Sequence, residues 1–227
     1  MSEKKELNNS NSIHCKLILV GESGVGKTSI ISRYLDKYQE KGESTLTAYF
    51  SNKTIICDGY QINFEIWDTA GQEQYRAMNA VFYKDASICL MVYDITNRST
   101  FDSIKDYWYD SVKESGNEGI IFGIAGNKND LFEDEEVDES EAKEFSDSIN
   151  ACFKLTSAQL NTSIDDIFRM LGEKFLMSKK ELLPKDDKDI KNNENILIKN
   201  DNIKIEKNDL LKSSDTAHAI KNKKNCC

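Results

Sequence analysis

Eight consecutive residues, Gly21-Glu22-Ser23-Gly24-Val25-Gly26-Lys27-Thr28, have the types and spacing of a phosphate cradle. Glycines let the backbone bend so that several N–H groups converge on one concavity. Lys27 supplies a full positive charge for outer phosphates, and the Thr28 hydroxyl is placed to hold Mg²⁺. The candidate nucleotide contacts in this stretch are Gly21, Ser23, Gly24, Val25, Gly26, Lys27, Thr28 and Ser29. Two later stretches could act on the same ligand. In Asp68-Thr69-Ala70-Gly71-Gln72-Glu73, the Asp68 carboxylate can hold Mg²⁺ through its water shell, opposite Thr28. Gly71 can let a backbone N–H approach the terminal phosphate, and Gln72 can orient a water for attack. In Asn127-Lys128-Asn129-Asp130, the Asp130 carboxylate can accept two N–H bonds from the Watson–Crick edge of guanine. Adenine offers no such pair, so a misfit leaves a buried charge unsatisfied at ~1–3 kcal/mol or more. Asn127 and the stem of Lys128 can brace that loop and cover the base, and Thr156-Ser157-Ala158 can offer a backbone N–H to the guanine carbonyl. Each stretch alone could be an ordinary polar turn; their order and their places after predicted strands set them apart.

The elements that must position these groups alternate. An apolar run over 16–20 precedes the glycine loop, and a helical pattern over 28–38 follows it, adding its positive end to the phosphate site. Residues 49–57 and 61–67 read as strands rich in β-formers, and Asp58-Gly59 between them predicts an antiparallel hairpin. Residues 87–93, 120–125 and 151–155 read as strands. Helices are predicted over 101–114, over 140–150 with Ser140 as cap, and over 164–177 with Ile164, Ile167, Phe168 and Leu171 on one face. A weakly helical stretch ends near Tyr83. Apolar strands separated by helices predict an α/β fold: a six-stranded, mostly parallel sheet with one antiparallel strand and helices on both faces. In such a sheet, ligands bind beyond the carboxyl ends of the strands.

Composition narrows the class. A formal charge of −9 argues against nucleic acid as a partner, because a phosphate backbone needs a basic face. Hydrophobic content of 39% suits a globular protein, and no apolar run approaches the ~20 residues that span a bilayer. Residues 1–12 are polar, with no charged-then-apolar leader, and are predicted to be disordered in a chain that stays in the cytoplasm. Four cysteines, Cys15, Cys57, Cys89 and Cys152, sit in apolar runs as expected of reduced core residues. The acidic run over 133–141 is predicted to be a solvated loop. Beyond residue 177 the composition shifts to Lys, Asp, Asn and Ile, as in a flexible tail, and the chain ends on Cys226-Cys227.

The motifs GESGVGKT, Thr45, WDTAGQE, NKND and TSA, in this order, resemble the small Ras-like GTPases. The stretches Phe64-Glu65-Ile66-Trp67, Phe82-Tyr83-Lys84-Asp85-Ala86 and Met91-Val92-Tyr93-Asp94-Ile95-Thr96 resemble those that distinguish Rab proteins, and Cys226-Cys227 is similar to a Rab prenylation site. The resemblance implies a P-loop GTPase domain over 13–177 that binds GTP or GDP with Mg²⁺. Its implied magnesium ligands are Thr28, Thr45 and Asp68, and its implied catalytic groups are Lys27, Thr45 and Gln72. Two loops, 39–49 and 68–82, would order around the γ-phosphate and relax after its loss. Implied partners are a GTPase-activating protein, an exchange factor, a GDP-dissociation inhibitor and effectors. The implied setting is a monomer, prenyl-anchored on the cytoplasmic face of endomembranes, that cycles with the cytosol and regulates vesicle traffic. Lys221, Lys223 and Lys224 beside the cysteines would favour an anionic leaflet. Two departures stand out: Thr47 where Rabs usually have glycine, and Gln159 where the motif usually has lysine.

Rival readings are a P-loop ATPase or nucleotide kinase, against which NKND and TSA argue, and a nucleotide-loaded scaffold with negligible turnover. A Ras- or Rho-like signalling role is disfavoured by the Cys-Cys end, which is not a C-a-a-X box.

Overall fold

The first strand, β1 (Ser12–Val20), is central, because its last turnless residues are apolar on both faces and buried from Leu17 to Val20. The structure, a computed structural model, describes residues 12–38, 49–69 and 81–180. After β1 come α1 (Lys27–Tyr34), β2 (Tyr49–Cys57), β3 (Tyr60–Asp68) and β4 (Ile88–Asp94). A helical rod follows in three parts: α2 (Arg98–Ser103), a π turn (Ile104–Trp108) and α3 (Tyr109–Ser115). Then come β5 (Ile121–Asn127), a 3-10 segment (Asn129–Asp134), α4 (Glu139–Ser148), β6 (Cys152–Leu155) and α5 (Ile164–Lys179).

The strands form one six-stranded sheet in the order β2-β3-β1-β4-β5-β6. Only β2 runs antiparallel to its neighbour; β3, β1, β4, β5 and β6 are parallel. The hairpin joins Cys57 to Tyr60 through Asp58 and Gly59, both at positive φ (48° and 80°), the backbone that the Asp-Gly pair predicts. The strand order reverses at β1, so the loop after β1 lies at the topological switch point where ligands bind. Register brings the other candidate loops to the same edge: Leu19 pairs with Asp68, Asp94 with Asn127, and Gly126 with Leu155.

Side chains alternate between two covered faces. On one, Ile18, Cys89, Met91 and Phe122 join Phe101, Ile104 and Trp108 of the rod and Ala142 of α4 in a single core. On the other, Leu90 and Gly123 face α5; a Cβ on Gly123 would lie 2.9 Å from Leu171 Cδ2. α5 buries Ile164, Ile167, Phe168 and Leu171, the predicted face, extended by Gly172, Phe175 and Leu176. Phe168 stacks on Tyr34 of α1 with ring centroids 3.8 Å apart. Cys15, Cys57, Cys89 and Cys152 are free thiols in the interior, as expected.

Several boundaries differ from the sequence expectations, each for a local reason. α1 stops at Tyr34 rather than Tyr38: Asp36 adopts φ 58°, and the N–H groups of Asp36 and Lys37 return to the carbonyls of Arg33 and Ser32. That pair of bonds is a Schellman closure. α4 stops at Ser148, two residues before the predicted end, and is closed in the same way by Asn150 (φ 54°). Its cap is Asp138, not Ser140; the carboxylate accepts from the Ser140 N–H at 2.7 Å and is favoured at a helix N-terminus by its charge. The acidic run is partly helical, because 129–134 forms the 3-10 segment and Glu141 lies in the first turn of α4, held by Arg98. β1 includes Ser12, whose hydroxyl accepts from Asn63 Nδ2 at 2.8 Å.

Candidate functional site

The loop from Gly21 to Gly26 is packed so tightly that two positions exclude any side chain. A Cβ on Gly21 (φ 138°) would lie 2.2 Å from the Val92 carbonyl, and one on Gly26 (φ 98°) 2.3 Å from Asn127 Nδ2. Ser23 and Gly24 are exposed at the rim, while Val25 is buried beneath. α1 begins at Lys27, directly after Gly26, so its first N–H groups face the same concavity and its N-terminus favours an anion.

Lys27 is 6% exposed, and its ammonium donates to the carbonyls of Gly21 (2.9 Å) and Glu22 (2.8 Å). Burial pushes its pKa down to about 8, against the opposing pull of Asp68 and Glu22. Thr28 Oγ1 donates to Asp68 Oδ2 at 2.5 Å. Asp68, 3% exposed at the end of β3, is raised by burial and drawn back down by Thr28 and Lys27. Its other oxygen, Oδ1, is buried with no hydrogen-bond partner among the described residues. A buried carboxylate oxygen beside a hydroxyl is a donor set for a small hard cation. The described residues contain no cluster of three or more His, Cys, Asp or Glu side chains that could form a metal site alone. Thr69, the next residue, anchors this corner by donating to the Leu19 carbonyl at 2.6 Å.

The second half of the site is built around Asn127, 2% exposed at the end of β5. Its Nδ2 donates to the Val25 carbonyl at 2.9 Å; its Oδ1 accepts from Thr156 Oγ1 and the Ala158 N–H, each at 3.3 Å. One amide therefore holds the glycine loop and the loop after β6 together. Asp130 Oδ1 accepts from Ser157 Oγ at 2.5 Å, and the Ser157 hydroxyl accepts in turn from the Leu160 N–H. Lys128 has a left-handed backbone (φ 67°) and pairs through Nζ with Asp94 Oδ2. Arg33 of α1 reaches across to the carbonyls of Ala158 (2.8 Å) and Gln159 (3.0 Å) and stacks on the Tyr38 ring at 3.6 Å. The Tyr38 hydroxyl donates to Gln159 Oε1 at 2.6 Å, so Gln159, the departure from lysine, takes part in closing this end.

The structure thus brings together Gly21 to Ser29, Asp68, Asn127, Lys128, Asp130, Ser157 and Ala158 at one edge of the sheet. Thr45, Gly71, Gln72, Cys226 and Cys227 lie outside the described residues. Sequence reasoning missed Arg33, Asp94 and Trp108. Arg33 and Asp94 carry no local signal, since their partners are 125 and 34 residues away. Trp108 donates from Nε1 to Glu22 Oε1 at 3.1 Å.

Residues 16–177 match the Ras family. The chain is 37% identical over 171 residues to Ras-related protein RabJ of Dictyostelium discoideum, an alignment covering 75% of this chain and 66% of that protein. It is 35% identical over 166 residues to Ras-related protein RABF2a of Arabidopsis thaliana, covering 73% and 82%. With Ras-related protein RABF2b of the same plant it shares 35% over 160 residues, covering 70% and 80%.

Proposed function

The chain belongs to the Ras family and, within it, to the Rab small GTPases, which bind guanine nucleotides and hydrolyse GTP; from that premise we propose that it is a Mg²⁺-dependent, membrane-anchored switch in vesicle traffic. The observation that carries the nucleotide assignment is Asn127, whose single side chain ties the phosphate loop to both base-contacting loops. A ligand with phosphates at one end and a base at the other matches that span.

In this reading, backbone N–H groups from Gly21 to Ser29 hold the phosphates, and Lys27 neutralises the outer ones. Thr28 and Asp68, already adjacent, would hold Mg²⁺, with Thr45 joining them in the GTP state. Mg²⁺, when bound, offsets charge on the outer phosphates. Asp130 accepts the guanine N1–H and exocyclic amine, with Ser157 fixing its carboxylate and Ala158 meeting the base carbonyl. Gln72 orients the hydrolytic water, and the N–H of Gly71 senses the γ-phosphate. The roles of Thr45, Gly71 and Gln72 rest on the sequence motif. An activating protein would complete the charge stabilisation, an exchange factor would release GDP, and a dissociation inhibitor would extract the monomer from the membrane.

Effectors would read the loops over 39–49 and 68–82. At the ends of those loops Phe50, 44% exposed, packs on Trp67, and Trp67 on Phe82. Among the described residues no helix is long and apolar enough to cross a membrane, and anchoring is assigned to prenyl groups on Cys226 and Cys227. We assign the GTPase domain to residues 13–177, between an N-terminal segment and a tail over 178–227; β1 starts at Ser12 and α5 ends at Lys179. Titration with GTP and ATP in Mg²⁺ tests the assignment: preferential binding of ATP would sink it. Single-turnover hydrolysis by the wild type and Gln72→Leu then separates a switch from a scaffold, the wild type forming GDP and the variant far less.

A further inference from the structure

Glu22 is the one acidic residue of the glycine loop, and nothing in phosphate binding calls for a carboxylate there. Its two ends do different things. Its backbone carbonyl accepts from the Lys27 ammonium at 2.8 Å, and its carboxylate accepts from Trp108 Nε1 at 3.1 Å. The geometry that makes the second contact is unusual. Trp108 closes a π turn, Ile104–Trp108, inside the rod that runs from α2 to α3. Such turns are rare, and they rotate the residues after them relative to a continuous α-helix. This one is held from both sides. Ile104 and Trp108 are fully buried in the core, and Tyr107 meets the indole edge-on at 5.0 Å. On the outside, Lys105 bonds Asp102 and Glu141 at 3.2 Å each, while Arg98 makes a two-pronged contact with Glu141 at 2.7 and 2.8 Å. The indole is thus a rigid donor, and the loop residue it holds is the one whose carbonyl receives the lysine.

We propose that Trp108 is a positioning residue for the phosphate loop, acting through Glu22 to set the carbonyl that orients Lys27 and so to slow GDP release. The plain alternative is an indole N–H that merely satisfies itself inside the core. The two differ in what is lost when only the N–H is removed. Trp108→Phe keeps an aromatic ring in the core and deletes the donor; Glu22→Ala deletes the acceptor on a half-buried loop. A third variant, Val112→Ala, opens space in the same rod, where Val112 is fully buried.

The test is the dissociation rate of fluorescent GDP from the full chain, loaded with Mg²⁺, in a double-mutant cycle. Trp108→Phe and Glu22→Ala should each speed release about tenfold, the scale of one hydrogen bond to a charged group. The double variant should be no faster than either single one, and Val112→Ala should stay within about twofold of wild type. Additive acceleration in the double variant overturns the proposal, as does a Trp108→Phe rate within twofold of wild type. Equal acceleration by Val112→Ala also overturns it, because the effect is then general loosening of the rod. The proposal rests on guanine-nucleotide binding; a wild-type chain that retains no GDP would overturn that reading and this one together, and needs no variant to detect.

Discussion

Asn127 Nδ2 donates to the carbonyl of Val25 at 2.9 Å, across 102 residues of chain. This bond explains why Gly26 must lack a side chain, since the same amide stands 2.3 Å from where its Cβ would be. It also makes the two halves of the site one rigid unit, because the other end of the amide holds Thr156 and Ala158.

Replacing Asn127 by Ala should therefore damage phosphate and base binding at once. The Val25 carbonyl and the Ala158 N–H lose a buried partner, each worth ~1–3 kcal/mol. We expect GDP affinity to fall at least ~10-fold and often nearer 100-fold, measured by calorimetry. Unchanged affinity would show that the amide is only a core contact.

Asp68→Asn keeps the shape of the carboxylate and removes its charge. In the wild type, chelating Mg²⁺ should speed GDP release by ~10-fold or more, because the donor set of Thr28 and Asp68 loses its cation. The variant should release GDP quickly with or without chelator, the two rates lying within about threefold. A full chelator response in Asp68→Asn would remove Asp68 from the metal site.

Asp130→Asn exchanges one carboxylate acceptor for an amide donor. Guanine then faces a donor with its own exocyclic amine and should lose ~1–3 kcal/mol, about 10–100-fold in affinity. Xanthine, which carries a carbonyl at that position, should gain by comparison. Competition between GDP and XDP reads the switch directly, and unaltered preference for GDP would place the base elsewhere.

The ion network outside the π turn predicts an acid response. Hydrogen bonds from Arg98, aided by Lys105, hold the Glu141 carboxyl below its ordinary value of 4.5. A carboxyl whose folded pKa is depressed contributes stability above its unfolded pKa and loses it as pH falls through the folded one. Arg98→Leu should thus be less stable than wild type at neutral pH. The two urea midpoints should converge as the pH drops below about 4.5. These side chains are exposed, so the gap will be small and will shrink in high salt.

Much of the candidate site was legible because its residues are contiguous. Glycines, a lysine and a threonine in fixed order encode a bent loop, a charge and a hydroxyl without reference to the rest of the chain, and Asp58-Gly59 encodes its hairpin in two residues. Strand and helix periodicity placed each motif at a strand end, and parallel pairing then demanded a shared edge. Helix ends were less legible. Asp36 and Asn150 stop their helices through left-handed backbones that many sequences tolerate, and Asp138 and Ser140 are both residue types that favour a cap, of which Asp138 takes the position.

What the sequence determined by itself was the chemistry: a phosphate loop, a hard-cation pair, a carboxylate suited to guanine, and their order along an α/β chain. What only the tertiary structure decided was how those parts are held. The bonds from Asn127 to Val25, from Arg33 to Ala158 and from Trp108 to Glu22 span 102, 125 and 86 residues. No local pattern encodes such pairs, because they exist only after the sheet has brought its strand ends together. The phosphate loop thus carries its function in its own eight residues, while its rigidity comes from partners that folding supplies.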